Sequence, residues 1–253
     1  MKTVLYVLFY RNRPAVIALV LLLAVRFVQA AALARGALVI GETFGDAYAF
    51  CSGANMGAFV FTPLLVVAVM RPAAMMAGSH FAAWSGDRRC ASLRCLGASL
   101  VFGLVASALL NLSAGVAIAL AVSVQPDVFT LTCSFALQVA VFSITFMVYV
   151  NLLYAIGSPA IAFMGCVLYG LWDFMAQNVV GGGVPSVGWG LTVVFGGPAF
   201  KDVIFRFSLF GMAFVVLFLI SFFSFQQKDY VASGMTVEWL GGSLVRYVRV
   251  CDI

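Results

Sequence analysis

Two charged residues, Arg26 and Asp173, stand inside stretches whose other side chains suit lipid. A charge there must face protein, water or another charge, so it marks a functional position or an internal pair. Counted from the ends of their apolar runs, the two lie about twelve and thirteen residues deep, which allows a direct ion pair. A place on a substrate path and a contact with a second membrane subunit are the other readings. Four amides, Asn111, Gln138, Asn151 and Gln177, also fall within apolar runs. Amides in such places more often bond neighbouring helices than ligands. Ser113, Ser143 and Thr145 can bond back to carbonyls of their own helices.

Other chemistry has little to work with. His80 is the only histidine, which excludes His-based metal clusters and Ser-His-Asp triads by count. Gly181-Gly182-Gly183 is followed by Val184, Pro185 and Ser186, with no lysine to reach a phosphate, and no GxxxxGK[ST] sequence occurs. Cys51, Cys90, Cys95, Cys133, Cys166 and Cys251 have no metal spacing and read as small apolar fillers rather than a disulfide framework.

The elements that would position these residues follow from composition. The 253-residue chain is 64% hydrophobic and 9% charged, where a soluble domain carries about a quarter charged residues. It therefore reads as an all-α polytopic membrane protein forming a single domain. The net charge of +5 does not point to nucleic acid, because the basic residues sit in connectors rather than along one face. The apolar run after Arg13 is too long for a signal-peptide core.

Six spans are expected, at about 15–34, 56–76, 96–122, 129–156, 160–178 and 207–225, each long enough to cross the hydrocarbon core. Residues 1–14 have an apolar face with Lys2, Arg11 and Arg13 at the ends, as a helix lying in the membrane surface would. Residues 35–55 are mixed and glycine-containing, with Glu42 and Asp46, and read as an exposed loop. Pro63 and Pro72 predict bends in the second span, Gln125-Pro126-Asp127 a turn, and Gly157-Ser158-Pro159 a tight reversal. Residues 179–205 are apolar but broken by glycines, Pro185 and Pro198, which suggests a re-entrant segment packed against protein. The tail 226–253 has apolar residues at helical spacing and reads as a second surface helix. With six spans, ten lysines and arginines fall on the side of the termini and three on the other, so both termini are expected in the cytoplasm.

The segment 80–94, HFAAWSGDRRCASLR, is the longest polar interruption between apolar runs. It reads either as positive charge that fixes orientation or as a short helix that receives force from a soluble partner. Ser85-Gly86-Asp87-Arg88-Arg89 with Leu93, and Gln227-Lys228-Asp229 after the last span, resemble two local patterns of the permease subunits of type-2 ABC exporters. These are the small six-span permeases found beside bacteriocin, lantibiotic and bacitracin self-protection ATPases. The resemblance covers nearly the whole chain: 1–14 matches the family's connecting helix, 80–94 its cytoplasmic coupling helix, and 179–205 its re-entrant extracellular hairpins. Arg26 and Asp173 depart from what a hydrophobic-substrate exporter of this kind would carry.

The resemblance implies a multi-pass subunit of a bacterial plasma membrane that binds no cofactor itself. ATP and Mg would sit on a partner ATPase, and a second permease, identical or related, would complete the pathway within the lipid. It also implies that Arg88, Arg89 and Arg94 make polar contacts to the ATPase, while Phe81 and Trp84 supply apolar anchors and Ser85, Gly86 and Asp87 complete the docking segment. A peptide, antibiotic or amphipathic small molecule would be the cargo. The residues themselves leave other classes open: a non-transporting membrane scaffold, an ion-coupled secondary transporter using Asp173, and, with no clustered acids, bases or metal ligands to serve it, a lipid-modifying enzyme. No internal repeat supports a transporter built from inverted halves.

Overall fold

A computed structural model describes residues 12–37, 44, 47–48, 57–78, 81, 85, 88–122, 125, 127–178 and 200–227. All regular structure among them is helical. The elements are α1 (Arg13–Ala37), a π-helical turn (Gly57–Phe61) leading into α2 (Thr62–Ala77), α3 (Arg88–Val122), α4 (Val128–Ile156), α5 (Pro159–Asn178) and α6 (Phe200–Gln227). Five apolar stretches are long enough to cross a membrane: Arg13–Ala34, Phe59–Ala77, Arg88–Ala121, Val128–Ile156 and Ser208–Gln226. In α5 the apolar stretch, Pro159–Trp172, is shorter, so five of the six expected spans meet that length among the described residues.

Local chemistry explains the boundaries. Asp127 caps α4 by accepting from the backbone N–H groups of Phe129 and Thr130, both at 3.1 Å, and from the Thr130 hydroxyl at 2.5 Å. The Thr130 hydroxyl, helped by both amides, holds the Asp127 carboxyl below its ordinary value against a smaller opposing effect of burial. Helix α4 ends at Gly157, whose φ of 75° is the left-handed conformation and whose N–H closes on the Leu153 carbonyl at 2.9 Å. Pro159 then opens α5, where a missing N–H costs nothing. Pro63 likewise lies in the first turn of α2, while Pro72 is buried inside it and leaves the Ala68 carbonyl without its usual donor.

Helix α4 is the hub, with α2, α3, α5 and α6 packed around it, while α1 lies against α2 and α3. Its apolar residues run all round the helix, as such a central position requires. Tyr149, Phe102, Phe142 and Phe146 fill the core, and Phe102 and Phe146 meet with ring centroids 5.9 Å apart. Apolar side chains also cover the outside: Val16, Ile17, Val20 and Leu21 on α1, Leu168 and Trp172 on α5, Val215, Val216 and Leu219 on α6. Water would not tolerate so large an apolar surface, and the architecture suggests a multi-pass membrane protein.

Several boundaries differ from expectation. The third helix begins at Arg88 rather than near Leu96, so Arg88, Arg89 and Arg94 occupy the first two turns of α3 instead of a separate connector helix. Charge does not end a helix, because arginine has high helix propensity. Helix α6 starts at Phe200, so the last residues assigned to the re-entrant segment are helical; 179–199 lie outside the described residues. Arg13 and Pro14 belong to α1, and residues 1–11 and 228–253, with their expected surface helices, lie outside the description. Phe44, Ala47 and Tyr48, expected in an exposed loop, are helical and 3%, 4% and 2% exposed. They pack on Ala30 and Ala34 of α1 and Ala114, Ala117 and Ile118 of α3, where small side chains leave room for a third element.

Candidate functional site

The polar side chains inside the bundle converge around Arg26. Its guanidinium is buried in the middle of α1 and donates from Nη1 to Oε1 of Gln29, one turn on, at 3.1 Å. The same group lies 5.5 Å from the centroid of the Tyr48 ring and 5.8 Å from that of Phe61, so two aromatic faces stabilise the buried charge.

Tyr48 connects this cation to the α3–α4 pair. Its hydroxyl donates to Asn111 Oδ1 at 2.9 Å; Asn111 Nδ2 donates to Gln138 Oε1 at 2.6 Å; and Gln138 Nε2 donates back to the Tyr48 oxygen at 3.1 Å. Each group in this ring both gives and receives a hydrogen bond, an arrangement in which bonds polarise one another. Asn111 Nδ2 also donates to the Ser107 carbonyl at 3.0 Å, so both of its hydrogens are engaged. Gln29 Nε2, Ser107 Oγ and Ser134 Oγ, all in buried residues, have no hydrogen-bond partner.

Other expected residues lie elsewhere. Asn151 on α4 donates to the Leu217 carbonyl of α6 at 3.1 Å and accepts from Ser221 Oγ at 2.9 Å, which makes it an interhelical tie. Ser143 donates to the Ser99 carbonyl of α3 and Ser113 to the Leu23 carbonyl of α1, so both bond across to a neighbouring helix. Only Thr145 bonds back within its own helix, to Val141. Asp173 and Gln177 are positions on α5, but their side chains lie outside the described residues, and so does any pairing of Asp173 with Arg26.

At the opposite end of α3, Arg88 Nη1 donates to the Gln226 carbonyl in the last turn of α6 at 2.7 Å. A cation at a helix C-terminus satisfies a carbonyl that has no intrahelical donor. Arg89 is exposed and Arg94 half-buried, while Phe81 and Ser85 are buried, with the Ser85 N–H bonded to the Phe81 carbonyl at 3.0 Å. His80, Trp84, Gly86 and Asp87 lie outside the described residues. Among the described residues no group of three or more His, Cys, Asp or Glu could hold a metal, and Cys90, Cys95, Cys133 and Cys166 are free thiols.

Sequence reasoning found Arg26, Asn111 and Gln138 but missed Gln29, Tyr48 and Phe61. Gln29 had a signal, since it stands three residues after Arg26 and so on the same helical face. Tyr48 had none: its partners are 63 and 90 residues away in the chain. No family model matches the chain, and no curated protein or solved structure is similar to it.

Proposed function

We propose that this chain is the membrane-spanning permease subunit of an ATP-driven ABC transporter, exporting a peptide, antibiotic or amphipathic small molecule. In this reading the chain makes six spans, with both termini in the bacterial cytoplasm and a separate ATPase subunit holding ATP and Mg. A second permease, identical or related, completes the pathway. The connector residues 80–94 dock on the ATPase, and Arg89 is the exposed cation placed for that contact.

The observation that carries the proposal is the continuity of α3. One 35-residue helix joins the charged turns at Arg88, Arg89 and Arg94 to Asn111 in the polar centre. The rise from Arg88 to Asn111 is about 34 Å, so a displacement applied to the arginine end reaches the ring without an intervening hinge. The Arg88 bond to Gln226 ties this end of α3 to the last turn of α6. This is the linkage that an ATPase pushing on one end of a bundle requires.

The test is purification of the tagged chain from its native membrane in mild detergent, followed by reconstitution and measurement of ATP hydrolysis and ATP-dependent flux. A stoichiometric nucleotide-hydrolysing subunit should co-purify and be lost on Arg89→Glu, while Asn151→Leu keeps it. Absence of any such subunit, or its retention with full flux in Arg89→Glu, overturns the proposal. Co-purification without ATP-dependent flux would identify a scaffold instead.

A further inference from the structure

We propose that Arg13 and Arg71 bind headgroup phosphates of anionic phospholipids and so anchor the α1–α2 pair in one leaflet of the membrane. The inference needs a bilayer around the chain but not the ATPase, and it leaves Arg89 to its soluble partner.

Two contacts fix how α1 and α2 run side by side. Asn12 Nδ2 donates to Met75 Sδ at 3.6 Å where α1 begins, and the Arg26 guanidinium lies 5.8 Å from the centroid of the Phe61 ring. The interval from Asn12 to Arg26 matches that from Phe61 to Met75, so the helices are antiparallel and in step. Arg71 therefore stands level with Val16, and Arg13 about one turn nearer the shared end. Measured from the level of Arg26 and Phe61, Arg13 and Arg71 lie about 20 Å and about 15 Å along their helices. Half the hydrocarbon thickness is about 15 Å, so a bilayer centred near Arg26 has its phosphates within reach of both.

Three further observations identify the ligand. Both side chains are exposed, and among the described residues neither takes part in a hydrogen bond or an ion pair. Just beyond Arg13 the outer face of α1 is aliphatic, with Ile17 59%, Val20 57% and Leu21 50% exposed. An arginine at such a border lays its stem along the apolar surface and extends its guanidinium to the headgroups, where the planar fork matches phosphate oxygens in pairs. Lastly, the one acid among the described side chains, Asp127, lies at the far end of the bundle, since α1 and α3 run parallel and α4 runs back. No described carboxylate offsets the positive charge at the Arg13 end. A zwitterionic headgroup would leave that charge standing, whereas an anionic one neutralises it.

The test uses the whole chain in nanodiscs of phosphatidylcholine alone or of an equal mixture with phosphatidylglycerol. Phosphatidylglycerol should raise the Tm of the wild-type protein by about 5 °C. About half of that gain should be lost in Arg13→Gln or Arg71→Gln and nearly all of it in the double variant, while Arg89→Gln keeps it. In the wild type the gain should also shrink between about 50 mM and about 500 mM salt, a measurement that needs no variant. An equal Tm in the two lipids, a gain that salt does not reduce, or one that the double variant retains overturns the inference. So does an equal loss in Arg89→Gln, which would mean diffuse attraction to the whole end of the bundle rather than anchoring by these two residues.

Discussion

Helices α3 and α4 meet in two different ways along one interface. Towards the arginine end they touch backbone to backbone: a Cβ on Gly103 would collide with Ser143 Oγ and lie 2.8 Å from the Val139 carbonyl. Towards the other end the side chains Asn111 and Gln138 stand between them, and Tyr48 from a third element joins in. The first contact has one solution, set by shape. The second is held by directional bonds among three partners. A single pair of helices thus supplies both a fixed fulcrum and a hydrogen-bonded polar centre.

The largest effect should come from breaking the fulcrum. Gly103→Val forces the helices apart against the Val139 carbonyl and should cost about 3 kcal/mol, read as a lowered Tm in detergent and a loss of folded yield. Gln138→Leu attacks the polar centre by removing the Gln138 donor from the Tyr48 oxygen and the acceptor of one of the two Asn111 Nδ2 hydrogens. The expected loss is about 1–2 kcal/mol, since membrane proteins gain only modestly from interhelical hydrogen bonds. A double-mutant cycle of Tyr48→Phe with Gln138→Leu sharpens the contrast: the ring requires strong coupling, whereas Tyr48→Phe and Gly103→Val should be nearly additive. Asn151→Leu removes the tie to Leu217 and Ser221 and should cost about 1 kcal/mol without altering either contact.

The smallest effect concerns the cap of α4. The Asp127 carboxyl is held below its ordinary value of 3.8, so the folded state binds its proton less readily than the unfolded chain does. Its contribution is therefore present above that ordinary value and lost as pH falls through the lower folded value. A Tm profile measured between about pH 6 and pH 3 should fall less steeply at its acid end in Asp127→Asn, which keeps a capping oxygen without the charge.

The sequence makes the scaffold legible where one residue decides a boundary. Asp127 and Gly157 mark the two ends of α4, because capping and a left-handed turn are local chemistry that neighbours in sequence announce. The charged segment after α2 is equally visible, yet its helicity is not, since arginines do not interrupt hydrogen bonding along α3. Arg26, Asn111 and Gln138 stand out as polar residues in apolar runs. Their mutual arrangement does not, because it depends on Tyr48 arriving from a segment whose mixed composition resembles a loop. The Gly103 contact left a faint trace, with Ser99, Gly103, Ser107, Asn111 and Gly115 at four-residue steps on one face of α3. Such a stripe announces close packing but names no partner.

The two-residue link between α4 and α5 has a consequence for how the two helices can move. A connection of Gly157 and Ser158 leaves little slack for one helix to slide or turn without the other. The two helices therefore behave as one hairpin, in which a shift of either is passed to its neighbour.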